Sequence, residues 1–301
     1  MHYHDGTENL VTTFGLLFVL SLAVWWWMSR RNAMKIGVDP SHIDLLMPLT
    51  IIGGLFGATF LSMLMPEDRQ IAGEVLQVDS RVRLFALVLS GAVVVAIYSR
   101  VTRQSFRTLV DVLALPTLAA LIVHRVGCFL AGCCWGDISV HDPWLTSIAA
   151  TEIGQQVQTL PWLAGEWVRT SVTYAPGSFP YEQQVAIGLI AADAAQSLPV
   201  HPVQLYEATL LGVFLLLFRK TALDKYPAGT IALITMGGYA IIRFVMEFLR
   251  ADSNLVFEAL TATQLQCIVL LVFASGLVGW FEFSAGQSGW NRLYSGPISN
   301  K

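Results

Sequence analysis

Long apolar runs separated by short polar stretches dominate the chain. They cover about residues 10–28, 44–65, 84–99, 109–130, 202–218, 228–249 and 264–281, each flanked by charge or by proline and glycine. Runs of this kind predict membrane-spanning helices, because a chain in hydrocarbon must satisfy its backbone hydrogen bonds internally. The alternating pattern of a membrane barrel is absent. The expected fold class is therefore all-α: a polytopic helical integral membrane protein of about seven transmembrane helices, with residues 1–301 forming a single helical transmembrane domain. The third and fifth runs are short for a bilayer.

Composition agrees. Of 301 residues, 54% are hydrophobic and only 13% charged, about half the charged share of a soluble domain. Mean hydropathy is +0.59. The net charge of -3 provides no basic excess for nucleic acid, and four cysteines make no disulfide scaffold.

The lysines and arginines set the orientation. With the N-terminus outside and the C-terminus inside, the inner segments hold eleven: Arg30, Arg31, Lys35, Arg100, Arg103, Arg107, Arg219, Lys220, Lys225, Arg292 and Lys301. The outer segments hold five, Arg69, Arg81, Arg83, Arg169 and Arg250. This is the positive-inside pattern, and it makes the stretch at about 136–200 an extracytoplasmic loop. The first run is expected to be a retained span, since its head, MHYHDGTE, lacks positive charge and its tail, WWWMSRR, lacks a small-residue cleavage site. Trp25, Trp26 and Trp27 then form an aromatic belt at the inner interface. The Gly53-x3-Gly57 spacing predicts close packing of the second helix on a neighbour.

Two arginines, Arg125 and Arg243, lie inside apolar runs, where an unpaired charge costs several kcal/mol (roughly 3 on insertion scales). Each belongs to a polar cluster. HRVGCFLAGCCWG, His124 to Gly136, ends the fourth span, and its Gly127, Gly132 and Gly136 are read as letting backbone amides approach a phosphate. HPVQLYE, His201 to Glu207, opens the fifth, with Pro202 in the first turn; His201, Gln204 and Ala208 are read on one face, Tyr206 and Glu207 elsewhere. In YAIIRFVMEFLR, Tyr239, Arg243 and Glu247 recur every fourth residue as one stripe, with Arg250 three beyond.

Topology alone carries these clusters to one outer-leaflet layer. Paired arginines suit a phosphate, which a planar guanidinium grips with two parallel hydrogen bonds while staying charged. Arg125, Arg243, His201, Glu207, Glu247 and Tyr239 are the expected catalytic groups. Gly127, Gly136, Gln204, Tyr206 and Arg250, together with Arg125, are the expected substrate-binding ones. Cys128, Cys133 and Cys134 have the spacing C-x4-CC without the second pair of a structural zinc site, and read first as packing thiols, next as a disulfide near the outer face, and last as a redox or acyl-carrying thiol. No metal and no organic cofactor is implied.

At these residues the chain resembles the prolipoprotein diacylglyceryl transferases, bacterial membrane enzymes that move a diacylglyceryl group from phosphatidylglycerol to the lipobox cysteine of a preprolipoprotein. HPVQLYE, the Tyr239, Arg243, Glu247, Arg250 spacing and TATQ at 261–264 carry the likeness, which runs from the first span to the seventh. It implies seven spans in the cytoplasmic (inner) membrane, membrane lipid and a lipobox signal peptide as partners, and release of glycerol phosphate. The match is divergent. His124, Cys128, Ala131 and Cys133 stand where the family has Gly, Asn, Asn and Glu; Ala86 replaces a motif His and Thr59 an Arg. With that His absent, the base that deprotonates the acceptor thiol is to be sought among His201, Glu207 and His124. The alternatives are a changed acceptor, a protein that binds or transports an anionic lipid or solute with the same arginines, or a thiol-redox protein.

Overall fold

The computed structural model describes residues 4–64, 70–71, 74–75, 80–136, 171–186, 188–218, 226–250 and 260–294. Eight helices occur among them: α1 His4–Lys35, α2 Ser41–Leu64, α3 Ser80–Thr102, α4 Phe106–Leu130, α5 Phe179–Ala186, α6 Val203–Phe218, α7 Thr230–Glu247 and α8 Ala262–Tyr294. All seven apolar runs are helical. Four helices contain segments long and apolar enough to cross a membrane, Thr13–Lys35, Phe106–Leu130, Thr230–Glu247 and Ala262–Trp280. The apolar segments of the other three are shorter, Ser41–Gly57, Leu89–Thr102 and Val203–Phe218. Large apolar side chains such as Phe56, Leu217 and Val272 are exposed, as expected where the solvent is hydrocarbon.

Two features were not expected from the pattern. One is α5, within the stretch at 136–200. The other is a short antiparallel pair, β1 Gln70–Ile71 with β2 Glu74–Val75, between α2 and α3. Residues 137–170 of the expected outer loop lie outside the described residues, as do Arg69, Arg169, Arg219, Lys220, Lys225 and Lys301 of the charge count.

The chain forms two compact units. One comprises residues 23–118, 218–237 and 270–301. There α1 ends at a left-handed Gly37 (φ 76°), and Val38 N donates to Ala33 O at 3.0 Å, closing the helix end. Asp39 then accepts from Ser41 N (2.9 Å) and Pro40 leads into α2. α2 packs on α3 as the small-residue spacing predicts: a Cβ at Gly53 would fall 2.4 Å from Val94. Ala33, Ile43, Leu46, Val95, Leu109 and Val112 form the core. Each tryptophan of the expected belt has a polar or cationic neighbour: Trp25 donates to Thr117, Trp26 to Asp44, and Arg31 lies 4.8 Å from the Trp27 ring centre. Asp111, a buried acid on α4, accepts from Gly229 N (2.6 Å) and Ala232 N (2.7 Å), capping the start of α7.

The other unit comprises residues 1–22, 119–217 and 238–269. In it Val172 and Val200 form an antiparallel bridge, and Tyr181 of α5 donates to the carbonyls of Ala192 and Ala194. Gly238 meets the Phe214 ring so closely that a Cβ would sit 2.2 Å from it, which joins α7 to α6. All three polar clusters fall in this unit.

Candidate active site

The site begins with backbone geometry. α4 stops where Gly132 turns left-handed (φ 62°) and Cys133 N donates back to Cys128 O at 3.1 Å. Cys134 is also left-handed (φ 62°), an uncommon state for a residue with a Cβ. Two residues on, Gly136 N donates to His201 O at 2.8 Å and Gly136 forms an antiparallel bridge with Arg250. A Cβ at Gly136 would lie 2.6 Å from Leu249 O and 2.7 Å from His201, so only glycine fits. This one residue therefore brings together the end of α4, the start of α6 and the end of α7.

The side chains then assemble into an alternating chain of charge. Arg125 Nη2 lies 2.9 Å from Glu207 Oε1, Glu207 Oε2 lies 3.7 Å from Arg243 Nη1, and Arg243 Nη2 lies 2.9 Å from Glu247 Oε2. Thr261, just before α8, donates its hydroxyl to Glu247 Oε1 at 3.1 Å. Exposure is 7% at Arg125, 2% at Glu207, 8% at Arg243 and 1% at Glu247. Charges this deeply buried persist only when paired, and three helices, α4, α6 and α7, contribute to the pairing. Two buried donors, Arg125 Nε and Arg243 Nη1, have no hydrogen-bond partner among the described residues. Leaving a buried donor unmade costs about 1–3 kcal/mol, so each is well placed to reward an anionic oxygen that reaches it.

Other expected residues surround this chain. Gln204 Nε2 donates to Cys133 O at 2.6 Å, fastening the α4 turn to α6. His201 is buried at the entry to α6, its ring 6.2 Å from that of the half-buried Tyr206. Tyr239 stands one turn before Arg243 on α7, and Arg250 is buried just past the end of that helix.

Two expectations need correction. Glu207 lies on the same buried face of α6 as Gln204, Ala208 and Leu211, because spacings of three, four and seven residues share one side of a helix. Gly127 and Gly136 do not offer amides to a phosphate: Gly127 is inside α4, where a Cβ would press on Leu17 at 3.3 Å, and the Gly136 amide is spent on His201. Gly132 serves the helix-ending turn against Tyr174. His124, a candidate base, packs edge-on against Phe14 and Phe18 with Nε2 3.5 Å from Cys128 Sγ.

The Sγ atoms of Cys128, Cys133 and Cys134 lie within 4.8 Å of one another. Hydrogen bonds from the other two thiols, aided by Arg250 and Arg125, draw the Cys134 thiol well below its usual range.

Thr261 and Gln264 were not singled out from the residues as site groups, yet they form a capping box: Gln264 N donates to Thr261 Oγ1 (3.2 Å) and Thr261 N to Gln264 Oε1 (3.0 Å). The T-x-x-Q spacing before an apolar run was the available signal. Asp111 was also missed, although an acid within an apolar run is as conspicuous as an arginine.

The sequence model of the prolipoprotein diacylglyceryl transferase family matches residues 7–280. The chain is similar to the phosphatidylglycerol–prolipoprotein diacylglyceryl transferase of Symbiobacterium thermophilum, 24% identical over 92% of this chain and 90% of the relative. It is likewise 24% identical to that of Proteus mirabilis, over 89% and 86% of the two chains, and 27% identical to that of Nitratidesulfovibrio vulgaris, over 85% and 84%. With nearly its whole length matched, and the polar clusters that carry the likeness converging in one buried network, the chain belongs to the prolipoprotein diacylglyceryl transferase family.

Proposed function

We propose that this protein transfers the diacylglyceryl group of phosphatidylglycerol to the lipobox cysteine of a preprolipoprotein in the cytoplasmic membrane. The observation that carries the reading is the pair of buried arginines, each within 2.9 Å of a glutamate through one nitrogen and each retaining a buried nitrogen with no hydrogen-bond acceptor among the described residues. Held this way, they offer fixed donors to a lipid phosphate at no reorganisation cost when charge grows on its oxygens.

The reaction is a displacement. The acceptor sulfur attacks the glycerol carbon that bears the phosphate, the carbon–oxygen bond breaks, and glycerol phosphate departs with the bonding electrons. Arg125 and Arg243 neutralise that leaving group. Glu207 acts as the clamp between the two arginines and Glu247 as the anchor of Arg243, since their oxygens already face guanidinium or hydroxyl groups. The proton of the acceptor thiol then goes to an imidazole, His201 or His124, rather than to a carboxylate. Tyr239, Tyr206, Gln204 and Arg250 shape the pocket for the headgroup. This reading places seven spans across the bilayer in one transmembrane domain, N-terminus outside, C-terminus inside and the stretch at about 136–200 on the outer face, where lipobox cysteines arrive.

Purified protein incubated with phosphatidylglycerol and a lipobox peptide should yield a thioether-linked diacylglyceryl peptide and free glycerol phosphate. If the peptide gains no mass while an established transferase modifies it in the same lipid mixture, the reading fails.

A further inference from the structure

Glu207 and Glu247 already face guanidinium and hydroxyl groups, and an imidazole that takes the thiol proton does not by itself hold the sulfur in place. The three cysteines at the end of α4 are placed to do it. Their Sγ atoms lie within 4.8 Å of one another, and a tetrahedral zinc ion with bonds of about 2.3 Å needs its sulfurs roughly 3.8 Å apart. Cys128 is buried while Cys133 and Cys134 are half-buried, which leaves one side of the cluster open. The turn builds this arrangement: Gly132 and Cys134 are both left-handed, and Gln204 holds the Cys133 carbonyl.

From this geometry we infer that Cys128, Cys133 and Cys134 form a three-thiolate site for a zinc-class metal ion whose fourth position receives the acceptor thiol. Three protein ligands with one open position is the pattern of a catalytic zinc site, whereas a structural site closes all four. The sequence spacing lacks a second cysteine pair, as an open site requires. Three thiolates and a divalent ion carry one net negative charge, and the buried cations Arg125 and Arg250 belong to the same compact unit. A thiol that binds such an ion gives up its proton, which passes to the imidazole that the transferase reading already assigns to it. The bound sulfur then donates its electron pair to the glycerol carbon, the carbon–oxygen bond breaks toward glycerol phosphate, and the neutral thioether leaves the metal. The activating role rests on the transferase reading, but the metal site itself does not.

The test uses the full chain in detergent, prepared anaerobically and loaded with zinc or cobalt(II). One equivalent of metal per chain should survive dialysis, and the cobalt form should show an intense thiolate-to-metal band in the near ultraviolet. That band should grow when a lipobox peptide is added and stay unchanged with the same peptide carrying serine for cysteine. Cys128→Ser, Cys133→Ser and Cys134→Ser should each lose the metal, while Cys267→Ser keeps it. Should the serine variants fail to fold, chelation of the unaltered protein should abolish turnover and zinc should restore it. Absence of stoichiometric metal, retention of metal by the triple serine variant, or a cobalt band indifferent to the cysteine peptide overturns the inference. A peptide modified by metal-free protein would leave the transferase reading standing and remove the metal. A responsive cobalt band without any modified peptide would do the reverse.

Discussion

Arg243 sits between two acids, with one nitrogen on Glu247 at 2.9 Å and another facing Glu207 at 3.7 Å. A lysine in its place would preserve the charge but offer one compact ammonium where a flat fork spans two partners. Arg243→Lys should therefore insert and fold normally yet lose roughly a hundred- to a thousand-fold in turnover, the usual penalty for removing a transition-state donor. Arg243→Ala differs, because it leaves Glu207 and Glu247 buried with too little positive charge; expression and detergent melting temperature should fall, and adding Glu247→Gln should recover part of both. Near-normal turnover in Arg243→Lys would remove this residue from the reaction. That Arg243 is buried and paired was legible early, since a charge inside an apolar run must face protein or water. The glycines were not. Whether Gly127 and Gly136 meet a phosphate or a packed neighbour depends on what lies opposite, and in the fold that is Leu17 for one and His201 with Leu249 for the other.

At the scale of elements, helix ends do much of the positioning. Thr261 caps α8 and also holds the far oxygen of Glu247, so the start of one helix fixes the anchor of the arginine on another. Thr261→Ala should cost about 1 kcal/mol for the lost cap and, by freeing Glu247, should reduce turnover more than the small drop in melting temperature would suggest. Thr261→Ser keeps the hydroxyl and should restore both; equal loss of activity in the two variants would argue against the link. Sequence reading found the seven helices because runs of apolar residues are a one-dimensional signal. It placed Glu207 off the buried face of α6, and it passed over Asp111, whose value depends on α7 beginning beside it. Helices can be located from their own residues, but the partners that cap and clamp them come from elsewhere in the chain.

For the whole molecule, the site and the topology must agree. Arg125, Glu207, Arg243, Glu247 and the three cysteines all fall within the unit made of residues 1–22, 119–217 and 238–269, whereas Arg30, Arg31, Lys35, Arg100, Arg103 and Arg107 belong to residues 23–118 of the other. On the transferase reading, the segment around Arg100 to Arg107 faces the cytoplasm and the stretch at about 136–200 faces outward, where an exported lipobox cysteine would arrive. A single-cysteine series in a background with the native thiols replaced by serine tests this directly. Gln183→Cys, on the exposed side of α5, should react in intact cells with a membrane-impermeant maleimide, while Gln104→Cys, in the turn between α3 and α4, should react only after the membrane is opened. Labelling of position 104 from outside, or protection of position 183 until lysis, would invert the orientation. The arginine network would then open toward the cytoplasm, and a transferase acting on exported proteins would be untenable whatever lipid it binds.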